Sequence, residues 1–469
     1  LRTASLEAGR RGGWEQGEEM NSRREFLKKM VLAGGMMAFG KKVFAKEPVR
    51  PGQIGDPSCT LFRAVNVTPA ENMARVIDLA GEIEKVVGQY DVVVIKPNVQ
   101  WWNQGAPNLQ ALQRLVDMAM NRPGGFKGEV VIAENVHRGS RPWESKSSGW
   151  ARTFEWNSDV RDIRNMNQLC EHLKKRYGDQ FSVCHWIDVD SGGKRVFDPK
   201  DGPGYVYCDG TGDVPLISFD NGLGGEKRRA VIMTYPIFET DKGTIIDFKN
   251  GVWEKGAYTG QPLRFINFAA LNHHSTYCGA TSAVKNYLGI SDLSGGPDPH
   301  NGGQLTGEYY NFHSFPFNKW APGPRPGMIG AEIGCFMSNI RKADLNITTA
   351  EWVGLASRVK PPMARTRAVL ACTDATALDY HATKYLLYPN SGMAIHNPDD
   401  PKSPLHQYLW ACAQEGGGVF DETKVEVKSY DCRKKAFQEN DELVVKGEKR
   451  WDSDPKTLLK YFLYRYLKT

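Results

Sequence analysis

Asp91-Val92-Val93-Val94-Ile95-Lys96-Pro97-Asn98 is the stretch on which the fold turns. Its short, continuous apolar run is the pattern of a strand covered on both faces. Upstream, Thr68-Pro69-Ala70-Glu71 reads as a capping box with proline at the first helical position. Met73, Val76, Ile77, Ala80 and Ile83 follow it at helical spacing. Downstream, Leu109, Leu112, Val116 and Ala119 share one helical face, and Val130-Val131-Ile132-Ala133 is the next strand. Strand, helix, strand in that order implies a right-handed parallel unit. The theme returns at Leu263 to Ala270, at Leu345-Asn346-Ile347 and at Ala368-Val369-Leu370-Ala371, the last followed by a helix opening near Asp374. The expected fold is α/β: a mostly parallel β-sheet flanked by helices, with a long irregular insertion.

That insertion is residues 137–262, rich in Gly, Trp, Asp and Lys, with one helix around Ile163, Met166, Leu169 and Leu173. It divides the α/β domain into a first part, 46–136, and a second part, 263–430. Residues 431–469 form a C-terminal extension, and Leu458 to Leu467 reads as an amphipathic docking helix. Residues 294–330 are rich in Gly and Pro and read as a long loop, the kind that is more often functional than not.

The chain has 469 residues, with 60 Lys+Arg against 54 Asp+Glu and a formal charge of +6. Residues 1–45 hold nine basic and five acidic side chains, so 51 and 49 remain beyond them. The basic excess is therefore mostly N-terminal, which argues against a nucleic-acid partner. No stretch approaches the ~20 apolar residues needed to span a bilayer, so no stable membrane span is expected after processing. The nine cysteines include no Cys-x-x-Cys pair, which disfavours a zinc ribbon or an iron–sulfur motif. There is no Gly-x-Ser-x-Gly elbow and no His-Glu-x-x-His, which disfavours common serine hydrolases and zincins. Gly222-Leu223-Gly224-Gly225 lies outside a clear strand-to-helix junction and is poor evidence for a nucleotide loop.

Ser22-Arg23-Arg24-Glu25-Phe26-Leu27-Lys28 precedes a weakly apolar run from Met30 to Gly40 and then Val43-Phe44-Ala45. A charged region, an apolar region and a small-residue cleavage site in that order make an export signal over 20–45. The paired arginines resemble the twin-arginine signal, which implies the twin-arginine translocation machinery as a partner and a bacterial periplasmic or secreted location. Met20 reads as the start, with residues 1–19 as translated upstream sequence.

In an open parallel sheet, ligands bind beyond the carboxyl ends of the strands. Lys96-Pro97-Asn98 ends the first strand, Glu134-Asn135 the second, and Asn272-His273-His274 follows a third. Asp374 ends the last and is also a plausible helix N-cap. The expected catalytic groups are Lys96, His274, Lys285 and Asp374. Asn98, Glu134, Asn286 and Asp379 are the expected substrate-binding groups. His273 and His274 are candidate ligands for a transition metal, although alternation along a strand lets at most one of them face a given point. Lys285 reads either as an anion-binding cation or as a base whose pKa is lowered by desolvation. Trp101-Trp102 reads as a hydrophobic lid or as a stacking platform, and His300 and His313 are remoter metal candidates.

Val94-Ile95-Lys96-Pro97-Asn98, the segment from His273 to Lys285-Asn286, and Asp374-Ala375-Thr376-Ala377-Leu378-Asp379 occur in an order that resembles the family called domain of unknown function 362. The resemblance spans about residues 90–390, interrupted by 137–262, and implies an α/β domain with no general assigned reaction. The chain departs from it at Asn272, where the family tends to have a lysine two before its histidine, and near Thr348-Thr349, where it often has an aspartate.

The functional expectation is an exported enzyme, dependent on a metal or another cofactor, acting on a small anionic substrate at the carboxyl rim of the sheet. The alternative is a non-catalytic periplasmic ligand-binding or cofactor-handling protein using the same rim.

Overall fold

In the computed structural model the described residues are 58–135, 149–189, 195–220, 230–293, 309–310, 326–451 and 455–466. The export signal, the Gly222–Gly225 run, His300 and His313 lie outside them.

The strands of the first half are β1 (Cys59–Val65), β2 (Val92–Pro97), β3 (Glu129–Glu134) and β4 (Phe181–His185). Next come β5 (Arg195–Val196), β6 (Gly204–Tyr207), β7 (Ser218–Asp220), β8 (Ala230–Ile232), β9 (Thr234–Glu239), β10 (Ile245–Asp247), β11 (Gly251–Glu254) and β12 (Ala257–Tyr258). The rest are β13 (Leu263–His273), β14 (Ala280–Thr281), β15 (Tyr309–Tyr310), β16 (Leu345–Gly354), β17 (Met363–Cys372), β18 (Val425–Asp431), β19 (Ala436–Phe437) and β20 (Glu448–Arg450). The main sheet has the order β19-β18-β1-β17-β16-β13-β2-β3-β4. Its centre, β16-β13-β2-β3-β4, is parallel throughout.

The sheet is mostly parallel and flanked by helices. Along β2, Val92 and Val94 belong to one hydrophobic cluster, and Val93 and Ile95 to the other. Alternation thus sends successive side chains into two cores, which is why the run is unbroken rather than alternating. Full burial of such a side chain contributes roughly 1.5–3 kcal/mol. Helices Pro69–Leu79, Leu109–Met120 and Met166–Tyr177 supply Met73, Leu112 and Leu169 to one core. Helices Pro326–Asn339, Ala375–Ala382 and Pro404–Gln414, together with the six-stranded sheet β12-β11-β10-β9-β6-β5, cover the other. The capping box is formed: Thr68 Oγ1 accepts from Glu71 N, and Thr68 N donates to Glu71 Oε2 at 3.1 Å.

Three expectations are corrected. First, β17 is antiparallel to β16, with Cys372 opposite Asn346 and Met363 opposite Gly354. Only residues 355–362 join them, too few for the dozen or more that a parallel crossover needs. Second, not all of 137–262 is inserted material. β4 extends the main sheet beside β3, helix Met166–Tyr177 packs into the core against it, and the six-stranded sheet is drawn from 195–258. Third, Pro326 to Gly330 opens a helix rather than completing a loop. Among the described residues no helix is long and apolar enough to cross a membrane.

Candidate functional site

From β2 the chain builds outward on one side to β3 and β4, then returns to place β13 and β16 on the other. The strand order therefore reverses between β2 and β13, and a crevice opens beyond the carboxyl ends at such a switch point. A cleft of about 520 Å3, solvent at its mouth included, lies at this place. Lys96, Asn98, Trp101, Glu134, Asn135, Lys285, Asn286 and Arg358 are among its lining residues.

Lys96 ends β2 and is 1 % exposed. Its Nζ donates to Asn286 Oδ1 at 2.6 Å and to the Pro97 carbonyl at 3.1 Å, and lies 3.5 Å from Glu134 Oε1. Three acceptors match the three protons of an ammonium. Glu134 ends β3 and also accepts from Val99 N, at 3.1 and 3.0 Å, and from Trp150 Nε1 at 3.2 Å. Its neighbours are donors, as a carboxylate requires. Burial pushes Lys96 down to about 8 and Glu134 upward, while each partner favours the other's charge. The pair is electrically closed, so Lys96 and Glu134 shape the floor and add no net charge to the cleft.

Lys285 is placed differently. After His274 the chain turns back through Gly279, whose φ is +72° and whose added Cβ would stand 2.4 Å from the Ile395 carbonyl. Only glycine fits there. The turn pairs β14 with β13, and Ser282 then opens the single helical turn Ala283–Asn286. Asn286 points inward, donating to Asn267 Oδ1 at 2.7 Å and to the Lys96 carbonyl at 3.0 Å. Lys285 Nζ lies 2.5 Å from His274 Nε2. The other ring nitrogen, Nδ1, accepts from Ser275 N at 2.9 Å. An imidazole that accepts at Nδ1 carries its proton on Nε2, so the lysine facing Nε2 must accept. The contact thus calls for an unprotonated amine. Burial, aided by the Arg358 charge and opposed by Cys278, pushes Lys285 down to about 8.

Arg358, in the loop after β16, stacks 4.7 Å over the Trp101 ring. Trp101 and Asn135 line the cleft wall, and their buried Nε1 and Oδ1 have no hydrogen-bond partner among the described residues. The wall beyond Lys285 is braced by the smaller sheet. Tyr205 Oη donates to the Ile290 carbonyl at 3.0 Å and accepts from Asn135 Nδ2 at 2.9 Å. With Lys96 paired to Glu134 and the Lys285 amine unprotonated, Arg358 leaves the described lining with a net positive charge, a surface suited to an anion.

The chain matches no protein-family model, no curated protein and no solved structure.

Lys96, Asn98, Glu134, Lys285 and Asn286 are brought together at the cleft, with His274 against Lys285. The others expected there are elsewhere. Asp374 leaves antiparallel β17 at the opposite edge of the parallel strands. It caps its helix, accepting from Ala377 N at 2.8 Å and from Val419 N at 2.9 Å. Asp379 accepts from Ala283 N at 2.8 Å and Val284 N at 2.9 Å, so it anchors the Lys285 turn from behind and is not among the residues lining the cleft. His273 does not join His274: its Nδ1 meets His396 Nε2 at 3.0 Å, and burial drives it well below the usual histidine range. Among the described residues no group of three or more His, Cys, Asp or Glu side chains could hold a metal ion.

Arg358, Thr281 and the brace at Tyr205 are missing from the sequence-based expectations. Arg358 follows a recognised strand, Leu345-Asn346-Ile347, so the rule that found Lys96 could have found it. Trp101 lines the cleft, with the Arg358 guanidinium carbon 4.7 Å from its ring centre.

Proposed function

We propose that this chain is an enzyme acting on a small anionic substrate in the cleft between β2 and β13. The contact of 2.5 Å between Lys285 and His274, inside a cationic cleft, carries this reading. Arg358 holds the anion and Trp101 limits its position. Lys285 acts as the base, its lone pair exchanging the Nε2–H of His274 for a substrate proton, and His274 positions the amine. The Lys96–Glu134–Asn286 set keeps the floor rigid and is positioning machinery.

Deuterium exchange followed by proton NMR tests this whatever the product. The full chain is incubated in D2O with a panel of short carboxylates and phosphate esters. Exchange of a carbon-bound proton, lost in Lys285→Met, is the expected result. Saturable binding with neither exchange nor consumption would assign the cleft to a non-catalytic binding or cofactor-handling protein.

Kinship with the domain of unknown function 362 family belongs to the same proposal. Two of the motifs that carry the resemblance line the cleft, and the third, through Asp379, anchors it. Export by the twin-arginine route rests on Ser22–Lys28 and the run that follows. Replacing Arg23 and Arg24 by lysine and fractionating cells should leave the protein in the cytoplasm.

A further inference from the structure

Proton abstraction alone does not need a primary amine in the cleft, since a carboxylate or an imidazole would serve. What the amine adds is nucleophilicity. An unprotonated lysine in an enclosed site attacks carbonyl carbon, which neither histidine nor a solvated ammonium does well. Three features favour such an attack. Nε2 of His274 lies 2.5 Å from the amine and, with Nδ1 accepting from Ser275 N, carries the ring proton, so it is placed to donate to a carbonyl oxygen as the amine attacks. Arg358, its guanidinium carbon 4.7 Å from the centre of the Trp101 ring, places a cation on the same cleft. Asn135 and Trp101 line its wall, and their buried Oδ1 and Nε1 have no hydrogen-bond partner among the described residues.

We propose that the substrate is a short-chain 2-oxo acid, whose carboxylate is held by Arg358 while Lys285 takes its carbonyl carbon as an imine. This rests on the anion-binding reading above and adds the chemical class. The amine lone pair forms the C–N bond, and the carbonyl π pair becomes an alkoxide. Water relays the proton shed by the attacking nitrogen to that oxygen, to which the Nε2–H of His274 donates a hydrogen bond, giving a carbinolamine. The second amine proton follows by the same relay, the C–O bond breaks, and one water leaves for each C=N bond formed. No oxidant or reductant is consumed. The adjacent carboxylate explains the placement: once the anion is anchored, the neighbouring carbonyl is delivered to a fixed amine.

Sodium borohydride in the presence of pyruvate or glyoxylate tests the proposal on the full chain. Reduction of the imine fixes it as a secondary amine, so intact mass should rise by the oxo acid less one oxygen atom. Peptide mapping should find the adduct on Lys285. Lys285→Met and Lys285→Arg should give no adduct while unfolding at temperatures near that of the parent, and His274→Gln should slow adduct formation at least tenfold. Calorimetry with pyruvate and with oxalate, an anion lacking a ketone, runs alongside. Binding of both acids without an adduct would overturn the imine and leave the anion site standing. Binding of neither would overturn both readings. Adducts spread over other lysines and persisting in Lys285→Met would also overturn the imine.

Discussion

Lys96 and Asn286, 190 residues apart, are joined twice: the lysine Nζ donates to Asn286 Oδ1 at 2.6 Å, and Asn286 Nδ2 donates back to the Lys96 carbonyl at 3.0 Å. The double bond ties the end of β2 to the turn carrying Lys285, across the point where the strand order reverses. Removing one member should therefore be costly. Lys96→Met leaves the Glu134 carboxylate buried without its cation and should cost about 3–5 kcal/mol in urea unfolding. Lys96→Met with Glu134→Gln should recover part of that loss.

Gly289 touches the same lysine. A Cβ added there would lie 2.8 Å from Lys96 Nζ and 3.1 Å from Cε, closer than carbon atoms tolerate. A free lysine would swing away, but this one is held by three acceptors. Gly289→Ala should cost roughly 1–3 kcal/mol, read as a lowered Tm, although the backbone there needs no left-handed conformation.

The state of Lys285 sets a pH dependence. Its pKa falls from 10.5 in the unfolded chain to about 8 in the fold, chiefly through burial. Below about pH 8 both states carry the proton, and the cost of holding the charge in the fold is fully present. Between about 8 and 10.5 the unfolded chain binds more protons, so this group's contribution to stability rises with pH. The kcat/KM should climb through an apparent pKa near 8 and then level. Lys96 shifts in the same direction and contributes to the stability rise, so Lys285→Met should reduce that rise without abolishing it.

Asp379 is the support behind the turn. Asp379→Ala strips the acceptor from two buried backbone N–H groups, at Ala283 and Val284. About 1–3 kcal/mol should be lost for each donor left unsatisfied. Turnover should fall as Lys285 drifts from His274, and Asp379→Asn, which keeps one oxygen, should restore part of both. Equal turnover in the alanine variant would remove Asp379 from the positioning role.

Arg358 presents a planar cation on the Trp101 ring, and lysine matches neither the plane nor the paired donors. Arg358→Lys should raise the KM for the anion about tenfold, equivalent to roughly 1.4 kcal/mol, with kcat nearly unchanged. A fall in kcat at constant KM would place Arg358 in the chemistry instead.

Much of this molecule was legible before folding. The Val92–Ile95 run, Val130–Ala133, the Thr68–Glu71 capping box and the helix face at Leu109, Leu112, Val116 and Ala119 are local patterns, and each is formed where its residues indicate. Consecutive side chains report burial on one or both faces, so neighbours in sequence suffice to declare a strand or a helix. The rule that ligands lie beyond strand ends likewise put Lys96 and Glu134 at the rim.

Strand order and direction were not legible in this way. Nothing in Ala368-Val369-Leu370-Ala371 says that it runs against its neighbours, and that reversal carries Asp374 away from the rim. Nothing in Leu263 to Ala270 says that it lies beside β2 rather than beyond β4. Periodicity describes a segment's faces, whereas pairing depends on connections and on partners more than a hundred residues away. The insertion of β13 next to β2 creates the crevice, and the turn at Gly279 brings Lys285 onto His274. The residues that line the cleft were written in the chain, but which of them meet was decided by tertiary packing.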